Sequence, residues 1–385
     1  MINVFYGYGL IWLLVLFLYF LGWSDLCFKL DNMLIVFIIC AIIISIVIGF
    51  VLKKQMKFIK LQENPHKKNT VTIVLVIAYL LDLAFARSIP ILNVLSGTSY
   101  LNVDFSGIPI IHNFISAFAI FYSIYLSYLF FCFKDKRVLI ENCLVVSFFV
   151  ILMQRQNILI CLILFCNIGL ASSFLGEINK KIRRRIIISL FALVLLILYL
   201  FGVMGNIRYG SNWKWNDSSM ISALGKMNSK YPDVLPKEYF WSYIYIVSPL
   251  VNLNYNIIYY NSTDNIEGLV KEFIPEFISN RIFSGDNTIK VNLPVKSLNA
   301  STAYVRVYLA YGFFGMFLLF GLQMIISFLV VYNVYKYNRE YFVVVCNALV
   351  YFLFFTFFAN TFVYSTTALV LFFAILCCRK IRIKN

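Results

Sequence analysis

The chain reads as an all-α polytopic membrane protein of about ten transmembrane helices with one large extracytoplasmic loop. Three observations predict this class. The 385 residues are 62% hydrophobic and 13% charged, with a mean hydropathy of +0.84, where soluble domains carry about 25% charged residues. The apolar residues fall into runs long enough to cross a bilayer. Basic clusters recur at alternate joints between those runs.

A spanning helix needs about 20 apolar residues. Suitable runs lie near 4–22, 33–52, 71–87, 108–133, 138–154, 157–175, 186–204, 307–334, 341–359 and 362–378. The first lacks a basic n-region and a small-residue cleavage site, so it reads as a span rather than a signal peptide. The fifth and sixth are joined by a short polar hairpin, Gln154-Arg155-Gln156-Asn157.

Orientation follows the Lys/Arg bias of the connections. Lys53–Lys68, Lys134–Arg137, Lys180–Arg185, Lys336 with Arg339, and the tail Arg379–Lys384 together hold 20 of the 33 basic residues. All lie on one side of a ten-span layout, which makes that side and both termini cytoplasmic. The net charge of +16 is therefore sorted by membrane side, and no nucleic-acid partner is expected. The nine cysteines lie in or beside apolar runs and read as small hydrophobes.

The chain divides into residues 1–204 (the first seven spans), the large loop 205–306, and 307–385 (the last three spans and the tail). The loop holds five prolines and many Trp, Tyr and Asn residues. Within it, Trp241–Tyr260 is apolar but interrupted by Pro249, Asn252, Asn254 and Asn256. An eleventh span would spoil the charge alternation, so this segment reads as an interfacial or re-entrant helix covered by protein.

Arginines are few on the outer side, and most sit near a span boundary: Arg87, Arg155, Arg208 and Arg306, with Arg281 inside the loop. A helix-end arginine often only snorkels to the headgroups. A set of them on the depleted side also suits a lipid-linked phosphate, because guanidinium binds phosphate in a planar fork and keeps its charge. Asp82 lies inside the third span, where an ionisable group must face protein or water. It reads as a helix–helix hydrogen-bonding residue or a partner of Arg87. His112 is the outer-side histidine and a candidate acid–base group. The loop acids Glu267, Glu272, Glu276 and Asp286 are candidate general bases or simply solvated charges. No phosphate-cradling glycine loop, nucleophile elbow or metal-ligand spacing is present in the sequence, and no cofactor is expected.

Three local patterns carry a resemblance to the bacterial oligosaccharide repeat-unit polymerases, the O-antigen polymerases of the Wzy type. They are Ser106-Gly107-Ile108-Pro109 with His112; Tyr243, Pro249 and Asn252; and Thr302-Ala303-Tyr304 with Tyr308, Gly312 and Gly315. The layout of spans around one large outer loop is similar as well. The chain departs at Ala310, where many members carry an acid, so no catalytic role passes to that position.

The resemblance implies a GT-C-like membrane glycosyltransferase, independent of metal, in the bacterial cytoplasmic membrane. Its substrates would be undecaprenyl-pyrophosphate-linked oligosaccharides, its product an O-antigen or capsule polysaccharide, and its partners membrane lipids and a chain-length regulator protein. His112, Arg155 and Arg306 are then the expected catalytic residues. Arg87, Arg208, Arg281, Tyr304 and Asn252 are the expected substrate-binding residues. An O-antigen ligase of the same chemistry, and a polysaccharide flippase, remain open as alternatives.

Overall fold

Helices occupy all ten of the apolar runs. The computed structural model of the chain describes residues 3–54, 56–95, 105–173, 180–209, 216–283, 289–337 and 340–377. The helices of the runs are α1 (Val4–Leu21), α2 (Asn32–Val51), α3 (Thr70–Ala86), α5 (Ile111–Phe133), α6 (Lys136–Ile151), α7 (Arg155–Ser173), α8 (Lys180–Tyr209), α13 (Tyr304–Tyr337), α14 (Phe342–Phe354) and α15 (Ser365–Cys377). Between them lie α4 (Pro90–Leu95), α9 (Ser219–Leu224), α10 (Tyr239–Tyr259), α11 (Ile266–Lys271) and α12 (Glu276–Ile282). Among the described residues the β-structure is a single bridge between Ser24 and Met227.

Six helices, α1, α2, α5, α7, α8 and α13, contain stretches long and apolar enough to cross a membrane. Shorter apolar stretches cover α3, α14 and α15. Leu10, Phe17 and Phe20 of α1 and Ile43, Val47 and Phe50 of α2 are exposed large apolar side chains, an outer surface made for lipid rather than water. These lengths and compositions are those of an α-helical polytopic membrane protein.

In lipid, helices associate through close packing and interhelical hydrogen bonds, and the contacts follow that rule. Asn3 caps α1 through its side-chain oxygen and donates from Nδ2 to the Gly49 carbonyl of α2 at 2.7 Å. Asp31 caps α2 by accepting from the Met33 and Leu34 N–H groups. At the far end of the bundle, the connection before α3 is pinned by His66 Nε2, 3.1 Å from both Glu141 oxygens. Glu141 also accepts from Thr72, which lies 2.9 Å from the Tyr122 hydroxyl.

The helix expected at Trp241–Tyr260 forms as α10, and it lies across one end of the α1–α2 pair. Near its start, Tyr243 Oη accepts the Trp23 N–H at 3.1 Å. Eleven residues on, a rise of about 16 Å, Asn254 accepts the Asp31 N–H at 2.9 Å and donates to the Lys29 carbonyl at 3.1 Å. Gly22 and Asp31, which flank this connection, cap the adjoining ends of α1 and α2. Against α8, Trp241 Nε1 donates to Asn206 at 2.7 Å, and Gly202 lets the two backbones meet.

The chain also reverses inside the body. α13 is broken at Tyr311 (φ −150°, ψ 28°) and Gly312 (φ 61°, ψ −155°). Tyr304 Oη lies 3.4 Å from Gln323 Oε1, although nineteen residues of straight helix would separate them by about 28 Å. Tyr304–Ala310 therefore folds back along the rest of α13. Its start reaches the middle of the bundle, where Tyr304 lies 2.7 Å from the Tyr8 hydroxyl and packs on Trp12 and Phe37. The Ala303 N–H donates to the Thr356 carbonyl at 2.8 Å. Just before the break, the Leu309 and Ala310 carbonyls accept from the Thr263 and Asn265 N–H groups at 2.8 and 3.0 Å.

Candidate functional site

Two polar clusters gather residues singled out in the sequence. The first is built on Asp82 of α3, fully buried at 0% exposure. Its Oδ1 accepts the Ile108 N–H at 2.8 Å, and its Oδ2 lies 2.6 Å from His112 Nδ1. A carboxylate only accepts, so Nδ1 carries the imidazole proton. The other ring nitrogen, Nε2, is 3.3 Å from the Gln154 amide nitrogen. Asn157 donates to Gln154 Oε1 at 2.8 Å, which turns the Gln154 NH₂ group toward His112. Both imidazole nitrogens are thus engaged. Asp82 is taken by His112 and the 107–112 turn, not by Arg87.

Local sequence explains the turn. Pro109 and Ile110 lead into α5, with Ile110 at φ 66°. Gly107 passes so close to Asp82 that an added Cβ would sit 2.6 Å from Oδ1.

The second cluster surrounds Arg306. Its side chain is half exposed, and Nη1 lies 3.4 Å from Glu272 Oε1, at the end of α11. Glu272, itself buried, accepts on Oε2 from Asn360 Nδ2 at 2.9 Å, and Asn360 also donates to the Glu272 carbonyl. Glu276, at the start of α12, is fixed by its own N–H, which donates to the Val363 carbonyl at 2.8 Å. Glu276 is exposed overall, and partial desolvation of its carboxyl pushes it above its ordinary range; Arg306 partly offsets this, and Glu272 adds to it. These residues line a cleft of about 300 Å³ with Tyr364 and residues 299–301. Among the described residues, no hydrogen bond or ion pair joins this cluster to the Asp82–His112 cluster.

The other expected site residues are placed differently. Tyr304 is fully buried on Tyr8 and Gln323, so its hydroxyl faces the protein interior. Asn252 is 1% exposed and donates to the Leu298 and Ala300 carbonyls at 2.8 and 2.6 Å. Both residues shape the wall behind the cleft and do not line it. Arg87 is exposed in a left-handed turn (φ 51°) that ends α3, and Arg281 is exposed in the last turn of α12. The side chains of Arg155 and Arg208 lie outside the described residues, as does Asp286.

Glu272 and Glu276 stood in the sequence only as two of several loop acids, and Asn360 only as a residue between the last two spans. One local signal joined the two acids: they are four residues apart, around Pro275. Their meeting with Arg306 depends on the reversal of α13, which apolar periodicity does not encode. No family model, no curated protein and no solved structure matches the chain.

Proposed function

We propose that the protein joins lipid-pyrophosphate-linked oligosaccharide repeat units into a surface polysaccharide, as an oligosaccharide repeat-unit polymerase. On this reading all ten apolar helices cross the bacterial cytoplasmic membrane, both termini are cytoplasmic, and the Arg306 cleft opens on the outer side. One observation carries the reading: a half-exposed guanidinium, on a segment of the helical body that reverses at Tyr311 and Gly312, is held beside two carboxylates in a polar cleft.

That arrangement suits glycosyl transfer from a membrane-anchored pyrophosphate. The lipid chain stays among the helices while its headgroup enters the cleft. Arg306 binds the pyrophosphate and stabilises the charge that develops as it leaves, a fixed electrostatic role that needs no reorganisation. Glu272 and Asn360 hold the arginine in place from behind.

Deleting the gene in the native host and running the surface polysaccharide on a gel tests this. A polymerase leaves single-repeat glycan in place of the ladder. Loss of all surface repeats indicates a flippase instead. A polymer ladder retained on the lipid carrier indicates a ligase.

A further inference from the structure

Building on the polymerase reading, we propose that Glu276 is the general base of the transfer, and that Glu272 is a positioning residue that holds Arg306. The division of labour follows from what each group already touches. Glu272 is committed, with Oε1 on Arg306 and Oε2 on Asn360. His112 is committed as well, with Nδ1 on Asp82 and Nε2 facing the Gln154 amide. Among the described residues, no hydrogen bond or ion pair engages the Glu276 carboxylate, which lines the same cleft as Arg306. Its backbone is anchored to Val363, so the free carboxylate sits on a fixed support.

The chemistry balances on these groups. The Glu276 carboxylate takes the proton of an acceptor sugar hydroxyl as that oxygen bonds to the anomeric carbon of the donor. The bond from the anomeric carbon to the pyrophosphate oxygen breaks, and its electron pair leaves with the polyprenyl pyrophosphate. Arg306 stabilises the added negative charge. The proton on Glu276 then passes to water.

A base works best with an affinity for protons near the operating pH, and partial desolvation moves the Glu276 carboxyl in that direction. The titratable groups around it are Glu272 from α11, Arg306 from α13 and Tyr364 ahead of α15. Protonation of the Glu276 carboxylate gives the rate profile its acidic limb.

The test uses full-length protein in phospholipid nanodiscs with lipid-linked oligosaccharide isolated from the native host, following release of polyprenyl pyrophosphate. Wild-type turnover establishes the reaction; its absence overturns the functional reading and the base assignment with it. With turnover present, Glu276→Gln is expected to lower kcat by about a hundredfold or more, with little change in KM and no acidic limb. Glu272→Gln is expected chiefly to raise KM, and His112→Ala to lower kcat less than Glu276→Gln does. Glu276→Asp keeps the charge and covers a folding failure of the amide variant: its rate falls while the acidic limb persists. Wild-type kcat with an unchanged acidic limb in Glu276→Gln overturns the assignment while leaving the reaction in place. A deeper loss in His112→Ala than in Glu276→Gln also overturns it.

Discussion

Asp82 clamps His112 across thirty residues of sequence, with Oδ2 2.6 Å from Nδ1, while its other oxygen holds the Ile108 N–H. One buried carboxylate thus fixes both the entry to α5 and the orientation of the imidazole. Removing it leaves two part-buried donors without their acceptor. Asp82→Ala is expected to lose about 1.5–3 kcal/mol for each charge-assisted hydrogen bond left unmade. A thermal melt in detergent micelles checks this, with Asp82→Asn falling between the two. A melting temperature equal to wild type in Asp82→Ala contradicts the clamp.

Glycine substitutions separate close backbone approach from mere small size. A Cβ at Gly202 would lie 2.0 Å from the Glu238 carbonyl oxygen, backbone against backbone, whereas Gly321 has nothing within 4 Å. Gly202→Ala is expected to push α8 off the start of α10 and sharply reduce the yield of folded protein. Gly321→Ala is expected to be neutral or to gain about 0.5–1 kcal/mol, since alanine suits a helix interior better. Equal behaviour of the two variants in a fluorescence-detected size-exclusion profile would count against the described packing of α8 on α10.

Asn252 is the tie between α10 and the back wall of the cleft, through the Leu298 and Ala300 carbonyls. Asn252→Ala leaves one buried and one part-buried carbonyl without this donor, at up to about 1–3 kcal/mol each, and loosens residues 298–302. The expected result is a lower melting temperature and a raised KM, with kcat changed less. A raised KM without loss of stability would instead point to direct substrate contact by Asn252.

Glu276 predicts a pH dependence of stability with a definite sign. Its folded affinity for protons is raised above the ordinary value of 4.5, so the folded state binds more protons than the unfolded state between the two. Stability from this group is fully present below the ordinary value and is lost as pH rises through the raised one. Glu276→Gln is therefore expected to melt higher than wild type at neutral pH, with the gap closing below about pH 4. A gap that widens on acidification contradicts the raised proton affinity of this carboxyl.

Much of the fold was legible because apolar length is the dominant signal in a chain of this kind. Each of the ten runs became a helix, and the interrupted segment at Trp241–Tyr260 became α10 almost to the residue. The reversal at Tyr311 and Gly312 was not legible, since both halves of α13 are apolar and the sequence reads through them as one span. The site suffers from the same cause. His112 and Arg306 stood out as rare residue types near span ends and Asp82 as an ionisable group inside a span, but Glu272, Glu276 and Asn360 acquire meaning only from partners far along the chain. Tyr304 drew attention through its motif, and nothing in that motif hinted that its hydroxyl would lie against Tyr8 and Gln323.

The most direct test of the central claim is complementation of the native deletion strain with Arg306→Ala, read as the surface-polysaccharide ladder on a gel, with membrane insertion verified. The expected result is single-repeat glycan in place of the ladder, with partial ladder from Arg306→Lys, which keeps the charge but not the planar fork. A full-length ladder from correctly inserted Arg306→Ala contradicts the assignment of the Arg306 cleft as the site of polymerisation.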